Sequence, residues 1–393
     1  MSSIAARALR ITGEGAIETL GRALALEAQG VSMIHLEVGQ PDYPTPPHVV
    51  EAGLKAIRDG LTRYGPAAGS PALRAAIADH VAETRGLRVD PARVMVVPGA
   101  KPVIFMTILA LVEAGDEVIM PNPGFPAYEA VTKFAGGVPV PMRLRAEEGF
   151  RVDMEALHAS VSERTKLLIL NSPANPTGGA LSLAELEEIA DLALRHDLWI
   201  LSDEIYRQLY YGEAVPPSIA SLPGLAERTI LMDGFSKAYR MTGWRLGYGI
   251  YPEPLVGPLT NMIVNDYTCA PLFVQAAGEA ALRGPQDFLA EMRDEYRARR
   301  DMVVAGLRDI PGFNCAVPGG AFYVLPGIAG LGVPNARWFA DRLLENGVAL
   351  LPGTDFGQLG EGHLRISYAT ARDQLEEALG RIRATVERLP EVG

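Results

Sequence analysis

The stretch Ser236 to Tyr248, SKAYRMTGWRLGY, sets Lys237 and Arg245 eight positions apart in an apolar, glycine-bearing loop. The run before it, Thr229 to Met232, has the composition of a short buried strand, so Lys237 falls just past a strand's carboxyl end, where open α/β sheets bind ligands. Burial there lowers a lysine's pKa and leaves a nucleophilic amine for a carbonyl compound. Arg245 offers a fixed, always-charged, bidentate partner for a phosphate, and Ser236 a hydroxyl beside it. An isolated lysine and arginine more often simply snorkel from a surface loop. The segments upstream decide against that reading.

Asn171 to Gly179, NSPANPTGG, follows the apolar run Leu167 to Leu170 and so lies at the end of a second buried strand. A third apolar run, Leu198 to Leu201, leads into Ser202, Asp203, Glu204, Ile205 and Tyr206, which places Asp203 at a strand end as well. A carboxylate there keeps a pyridinium nitrogen protonated, as a pyridoxal phosphate site needs. Separately, Asn-Pro-Thr-Gly is an ordinary turn and Ser-Asp an ordinary helix start. Together with YGPAAG at 64–69 and HLRISYA at 363–369, these segments resemble, in order and spacing, the fold-type-I pyridoxal-phosphate enzymes of aminotransferase class I/II. The resemblance runs essentially end to end and is strongest to the bacterial aspartate aminotransferase subgroup.

That resemblance implies an α/β fold with a large, mostly parallel sheet sandwiched by helices, plus a smaller α+β domain. It implies that Lys237 holds pyridoxal 5'-phosphate as a Schiff base and then serves as general base and acid, with Asp203 on the ring nitrogen and Asn175 and Tyr206 on the phenolic oxygen. Phe125 would stack on the ring, where relatives usually carry Tyr or Trp; Gly99, Ala100, Lys101, Ser236 and Arg245 would surround the phosphate. Tyr64 would reach the phosphate of the neighbouring subunit, which implies a homodimer with shared sites. Gly39, Asn175 and Arg365 would bind the substrate, Gly39 and Arg365 at its α-carboxylate. Lys101 stands where acidic-substrate relatives carry a lysine, so aspartate or glutamate, with 2-oxoglutarate as acceptor, is the expected substrate class. Thr12, where close relatives often have a basic residue, and the anionic Asp266 speak against it. A β-lyase, an amino-acid oxidase or a non-catalytic sensor would share the same cofactor residues.

The elements that must position these residues are legible in outline. Val94 to Val97 and Glu117 to Met120 read as strands, followed by turns at Pro98 to Lys101 and at Pro121 to Phe125. The apolar helix Val103 to Val112 would offer free N–H groups at its start to a phosphate. Helices are expected at Val49 to Arg58, at Pro71 to Arg85 and at Ser182 to Asp197. The last is opened by the capping box Ser182/Glu185, with Leu183, Leu186, Ala190 and Ala193 inward. Residues 1 to about 30 read as an arm with Ala16, Leu20, Leu24 and Leu26 as its stripe, and Ile34 to Val38 as a strand. After a break at 265–271, a long helix carries Phe288, Met292, Tyr296, Val303 and Leu307. Strands Ala321 to Leu325 and Leu364 to Ser367, and a closing helix through Leu375, Leu379, Ile382 and Val386, complete the chain. This predicts an arm with part of the small domain at 1–45, a large cofactor-binding domain at 46–284 and a C-terminal small domain at 285–393.

Composition sets the outer bounds. The 393 residues, 48% hydrophobic and 21% charged, suffice for two compact domains. A net charge of −11 argues against nucleic acid or an anionic membrane as partner, and no Gly-x-Gly-x-x-Gly run supports a nicotinamide site. Cys269 and Cys315 lie far apart without metal spacing, the six histidines form no metal motif, and no apolar run approaches a membrane span. The expectation is a cytoplasmic enzyme without metal.

Overall fold

The computed structural model describes residues 4–213 and 216–389, so the first three residues of the expected arm and the last four of the expected C-terminal domain lie outside it. Strand β1 (Ile34–His35) precedes β2 (Val94–Val97), β3 (Glu117–Asn122), β4 (Val138–Arg145), β5 (Arg151–Val152), β6 (Thr165–Asn171), β7 (Trp199–Asp203), β8 (Thr229–Gly234) and β9 (Gly247–Ile250). From β2 onward these form one sheet in the order β2-β9-β8-β7-β6-β3-β4-β5. Its central run, β8-β7-β6-β3-β4, is parallel, whereas β9 is antiparallel to both of its neighbours and β5 to β4.

The side-chain period of two explains why these strands read as unbroken apolar runs. Leu167, Ile169, Leu201 and Ile230 join one core with Ile104 and Ile108 of the helix Lys101–Leu111. Leu168, Leu170 and Ile200 join another with Leu186, Ile189, Ala190 and Ala193 of the helix Leu183–Arg195. Both faces are covered. That second helix starts where its sequence says it should: the Ser182 hydroxyl accepts from the Glu185 N–H (3.3 Å) and the Glu185 carboxylate accepts from the Ser182 N–H (2.9 Å). Leu183, expected inward, is half exposed, because it sits in the first turn beyond the stripe that Leu186, Ile189, Ala190 and Ala193 bury.

Around the remaining strands, β10 (Tyr323–Val324), β11 (Val348–Ala349), β12 (Leu351–Pro352) and β13 (Leu364–Ser367), lies a further core. Met292, Tyr296, Val303 and Leu307 of the helix Asp287–Arg308 enter it, as do Leu375 and Ile382 of the helix Arg372–Glu387 and Ile34 and Leu36 from the amino-terminal region. Tyr206 and Leu209, just after β7, belong to the same core and tie it to the large sheet. Two strands are shorter than their sequence suggests. Ala321 adopts φ 58°, which breaks the extended run before β10, and the ladder of β1 with β11 covers only Ile34 and His35.

The arm's helix, Gly15–Glu27, also differs from its expected stripe: Thr19 and Ala23 are the buried positions, and Leu24 is 52% exposed. A helix turns about 100° per residue, so a face centred on Ala23 turns Leu24 outward. Among the described residues no helix is long and apolar enough to cross a membrane.

Candidate active site

Sheet register brings the chemistry together. Asn171 is aligned with Asp203 across β6 and β7, and Asp203 with Met232 across β7 and β8, while the loops leaving β2, β3 and β8 carry Gly99 to Lys101, Phe125 and Ser236 to Lys237 over the same edge. The cavity there has a volume of about 300 Å³. Its wall includes Gly39, Ala100, Lys101, Phe125, Asn175, Asp203, Tyr206, Ser236, Lys237, Arg245 and Arg365. Of the residues singled out from sequence, Gly99 lies behind this wall and Tyr64 lies away from it, 86% exposed. Asp266, at the end of the helix Glu253–Asp266, does not line the cavity.

The Lys237 ammonium donates to the Gly39 carbonyl at 2.5 Å and faces the rings of Phe322 and Tyr206 at 5.6 and 5.8 Å. Burial, reinforced by the cations Arg365, Lys101 and Arg245, pulls its pKa down to about 8. Gly39 is held to glycine by packing: a Cβ there would lie 1.6 Å from the Tyr323 hydroxyl.

Asp203 is 3% exposed and accepts from the Tyr128 hydroxyl at 2.6 Å and the Ile205 N–H at 3.1 Å. Burial pushes its carboxyl up to about 7, against the lowering effect of those two donors. Beneath it, Arg85 is held between Glu204 (2.8 Å) and Asp233 (2.5 Å), a buried ion cluster that Arg207 and Ser218 complete around Glu204. The cluster fixes the strand ends that carry Asp203 and Lys237, since removing one partner would strand a buried charge.

Arg245 has φ 55°, a conformation that non-glycine residues seldom hold, and its guanidinium donates to the Thr242 carbonyl at 2.9 Å. Gly99 makes room for it, because a Cβ at Gly99 would lie 2.1 Å from Arg245 Nη2. Ala100 caps the helix Lys101–Leu111; Pro102 has no N–H and the Val103 N–H donates to the Ala100 carbonyl (2.9 Å), so the N–H groups of Ala100 and Lys101 are the ones without a partner within the helix. A phosphate beside Arg245, Ser236 and that helix start matches the donor set. Phe125 stands edge-on to Tyr128, 5.6 Å between centroids, and Lys101 Nζ lies 5.3 Å from the Phe125 centroid. Lys101 is not free: it pairs with Glu14 from the arm.

Arg365 is buried at 3% exposure between the rings of Tyr323 (4.6 Å) and Phe356 (4.9 Å). It donates to the Glu37 carbonyl and to Asn175 Oδ1 (3.4 Å), while its Nε has no partner among the described residues. A planar cation fixed on both faces with a donor to spare suits a carboxylate. The Tyr206 and Tyr323 hydroxyls lie 2.9 Å apart.

Three contributors escape a reading of the sequence: Tyr128, Tyr323 and Glu14. Tyr128 lies three positions after Phe125, so a search for donors to Asp203 along that turn would have found it. Tyr323 and Glu14 carried no local signal.

A family model described as aminotransferase class I and II matches residues 31–382. An aspartate aminotransferase of Pyrococcus abyssi is 42% identical over 353 residues, covering 89% of this chain and 90% of its own length. An arginine–pyruvate transaminase of Pseudomonas aeruginosa is 40% identical over 377 residues, covering 95% of each. The crystal structure of the aspartate aminotransferase from Rhizobium meliloti matches with a TM-score of 0.94 at 37% identity, over 99% of this chain and 100% of that one.

Proposed function

The chain belongs to the class I and II aminotransferase family and is a transaminase; from that premise we propose that it works with pyridoxal phosphate held through Lys237, moving the amino group of an L-amino acid to a 2-oxo acid. The observation that carries this reading is one cavity in which an amine lowered to about 8, a buried carboxyl and a phosphate-type arginine converge. Bound there, pyridoxal phosphate supplies a pyridinium ring that takes up the electrons left when the substrate's Cα loses its proton.

The chain's residues supply the rest. The Lys237 amine is nucleophilic near neutral pH and, with the cofactor bound, would serve as the base and acid for the proton at the substrate's Cα. The Gly39 carbonyl, 2.5 Å away, orients that nitrogen. Asp203, steadied by Tyr128, would keep a proton on the ring nitrogen, and Asn175 and Tyr206 would bind the phenolic oxygen. Arg245, Ser236 and the helix start at Gly99 to Lys101 would bind the phosphate, and Phe125 would cover the ring. Arg365 receives the substrate's α-carboxylate, with Tyr323 and Phe356 fixing its plane. A dicarboxylic amino acid, aspartate or glutamate, belongs to the same proposal, with 2-oxoglutarate as acceptor and Lys101 as the reader of its second carboxylate.

A homodimer with shared sites is supported by Tyr64, whose ring is 86% exposed among the described residues, and by Ile4, Leu9 and Ile17 of the arm, exposed at 70%, 73% and 65%. The division at residues 45 and 284 is supported by the shared core of Ile34 and Leu36 with the carboxyl-terminal elements. Two free cysteines, Cys269 and Cys315, suit the cytoplasm. Borohydride reduction of the loaded enzyme followed by peptide mapping tests the central claim. The pyridoxyl label belongs on Lys237, and a label on Lys101 would refute the assignment.

A further inference from the structure

In the reading above, on which this inference rests, Arg365 takes the α-carboxylate, Arg245 the phosphate, and Lys237 and Asp203 the ring. Two charged side chains on the cavity wall are left to meet the substrate's side chain: Lys101 and Glu14. They form an ion pair with each other. The pair stands beside Phe125, and its side chains are 52% and 28% exposed, so an arriving side chain can touch both. Glu14, Ile17 and Phe125 also line an adjoining cavity of about 950 Å³. A long side chain extending from the catalytic pocket into that space passes the pair. The charges around it there are largely self-satisfied, Lys133 with Glu129 and Arg337 with Asp355, while Glu18 adds a further carboxylate.

We propose that Glu14 is a specificity-determining residue: by holding Lys101 it opposes dicarboxylic amino acids, whose distal carboxylate must displace it to be bound. With the pair intact the side-chain site is neutral. An apolar side chain leaves it undisturbed, and a basic one shares Glu14, because a carboxylate accepts several donors at once. A second carboxylate meets repulsion from Glu14 and wins only by taking Lys101 from it. Lys101 therefore reads acidity, and Glu14 sets how strongly.

The experiment measures kcat/KM for aspartate, arginine and alanine by single-turnover transfer in the wild-type holoenzyme, Glu14→Gln, Lys101→Met and the double variant. Glu14→Gln should raise the aspartate-to-alanine ratio about tenfold or more and lower the arginine-to-alanine ratio, as expected when one charge-assisted contact is released or lost. In the Lys101→Met background the same Glu14 change should move the aspartate ratio less than about threefold, on the same scale of contact energies. A merely structural arm residue would depress all three substrates together and leave the ratios alone. An unchanged aspartate ratio in Glu14→Gln, or an equal rise without Lys101, overturns the proposal. Failure of the wild type to transfer from any of the three refutes the substrate reading on which this inference rests, and this inference with it, while leaving the transaminase family unaffected.

Discussion

Replacing Tyr128 by Phe tests the electrostatics of the site at a single atom. The Tyr128 hydroxyl donates to Asp203 Oδ2 at 2.6 Å, and both groups are buried. Burial has already raised Asp203 to about 7, so the site holds its carboxylate near the tipping point and depends on its few donors. A hydrogen bond to a charged group contributes about 1.5–3 kcal/mol, which at about 1.4 kcal/mol per pKa unit lifts Asp203 by roughly one to two units when the hydroxyl is removed. The ring nitrogen needs the ionised form, so the apparent Kd of the apoprotein for pyridoxal phosphate scales inversely with the fraction ionised. That fraction gives a weakening of roughly seven- to eightyfold at pH 7, shrinking to less than about threefold at pH 9. Equilibrium titration of apoprotein with cofactor at several pH values reads this directly. Weakening that is the same at every pH, or absent at pH 7, would refute the claim that Tyr128 acts by stabilising the Asp203 carboxylate.

The same shift has a signature without cofactor. A carboxyl whose folded pKa is raised contributes stability that is fully present below the ordinary carboxylate range and is lost as pH rises through the folded value. In the wild-type apoprotein that loss is complete a little above pH 7, whereas in Tyr128→Phe it continues toward pH 9, so the Tm gap between the two should widen from pH 5 to pH 9.

Other expectations follow from neighbouring atoms. Reductive methylation of the apoprotein, mapped by mass spectrometry, should modify Lys237 with a half-maximal rate near pH 8, well below ordinary lysines; modification that tracks the surface lysines would contradict the lowered pKa. Gly99→Ala puts a Cβ 2.1 Å from Arg245 Nη2 and should weaken pyridoxal phosphate by about ten- to hundredfold while leaving pyridoxal, which lacks the phosphate, nearly unaffected. Equal losses for both would place the defect elsewhere. Arg365→Lys loses the planar fork and should raise KM for the amino acid about tenfold or more with a smaller change in cofactor Kd, measured by steady-state kinetics and titration.

How much of this was legible along the chain depends on whether the cause is local. Asp203 ends one apolar strand and Asn175 and Lys237 each follow another, so strand composition and a turn signal suffice to put all three at one edge of the sheet, and the fold class comes with them. Contacts across the sheet order are another matter. Tyr128 and Asp203 are 75 residues apart, and Glu14 and Lys101 are 87 apart. Gly99 is held to glycine locally by its φ of 81°, but a second constraint comes from across the sheet: Arg245, which arrives because β9 lies between β2 and β8 rather than beside its sequence predecessor alone. The arm shows the same limit in one residue: Leu24 belongs to an apolar pattern, but which side of the helix faces inward is decided by what Thr19 and Ala23 pack against.

Glu14 is the case with functional weight. The family resemblance gives Lys101 a carboxylate-reading role, because acidic-substrate relatives carry a lysine at the matching position. The fold then brings an acidic residue from the arm against it. A charge's meaning in a site is set by the pair, and the second member of this pair comes from a segment whose own pattern points only to packing. For this reason the half of the site proposed to hold the cofactor could be read strand by strand, whereas the half proposed to select the side chain emerges only once the arm is seen lining the cavity.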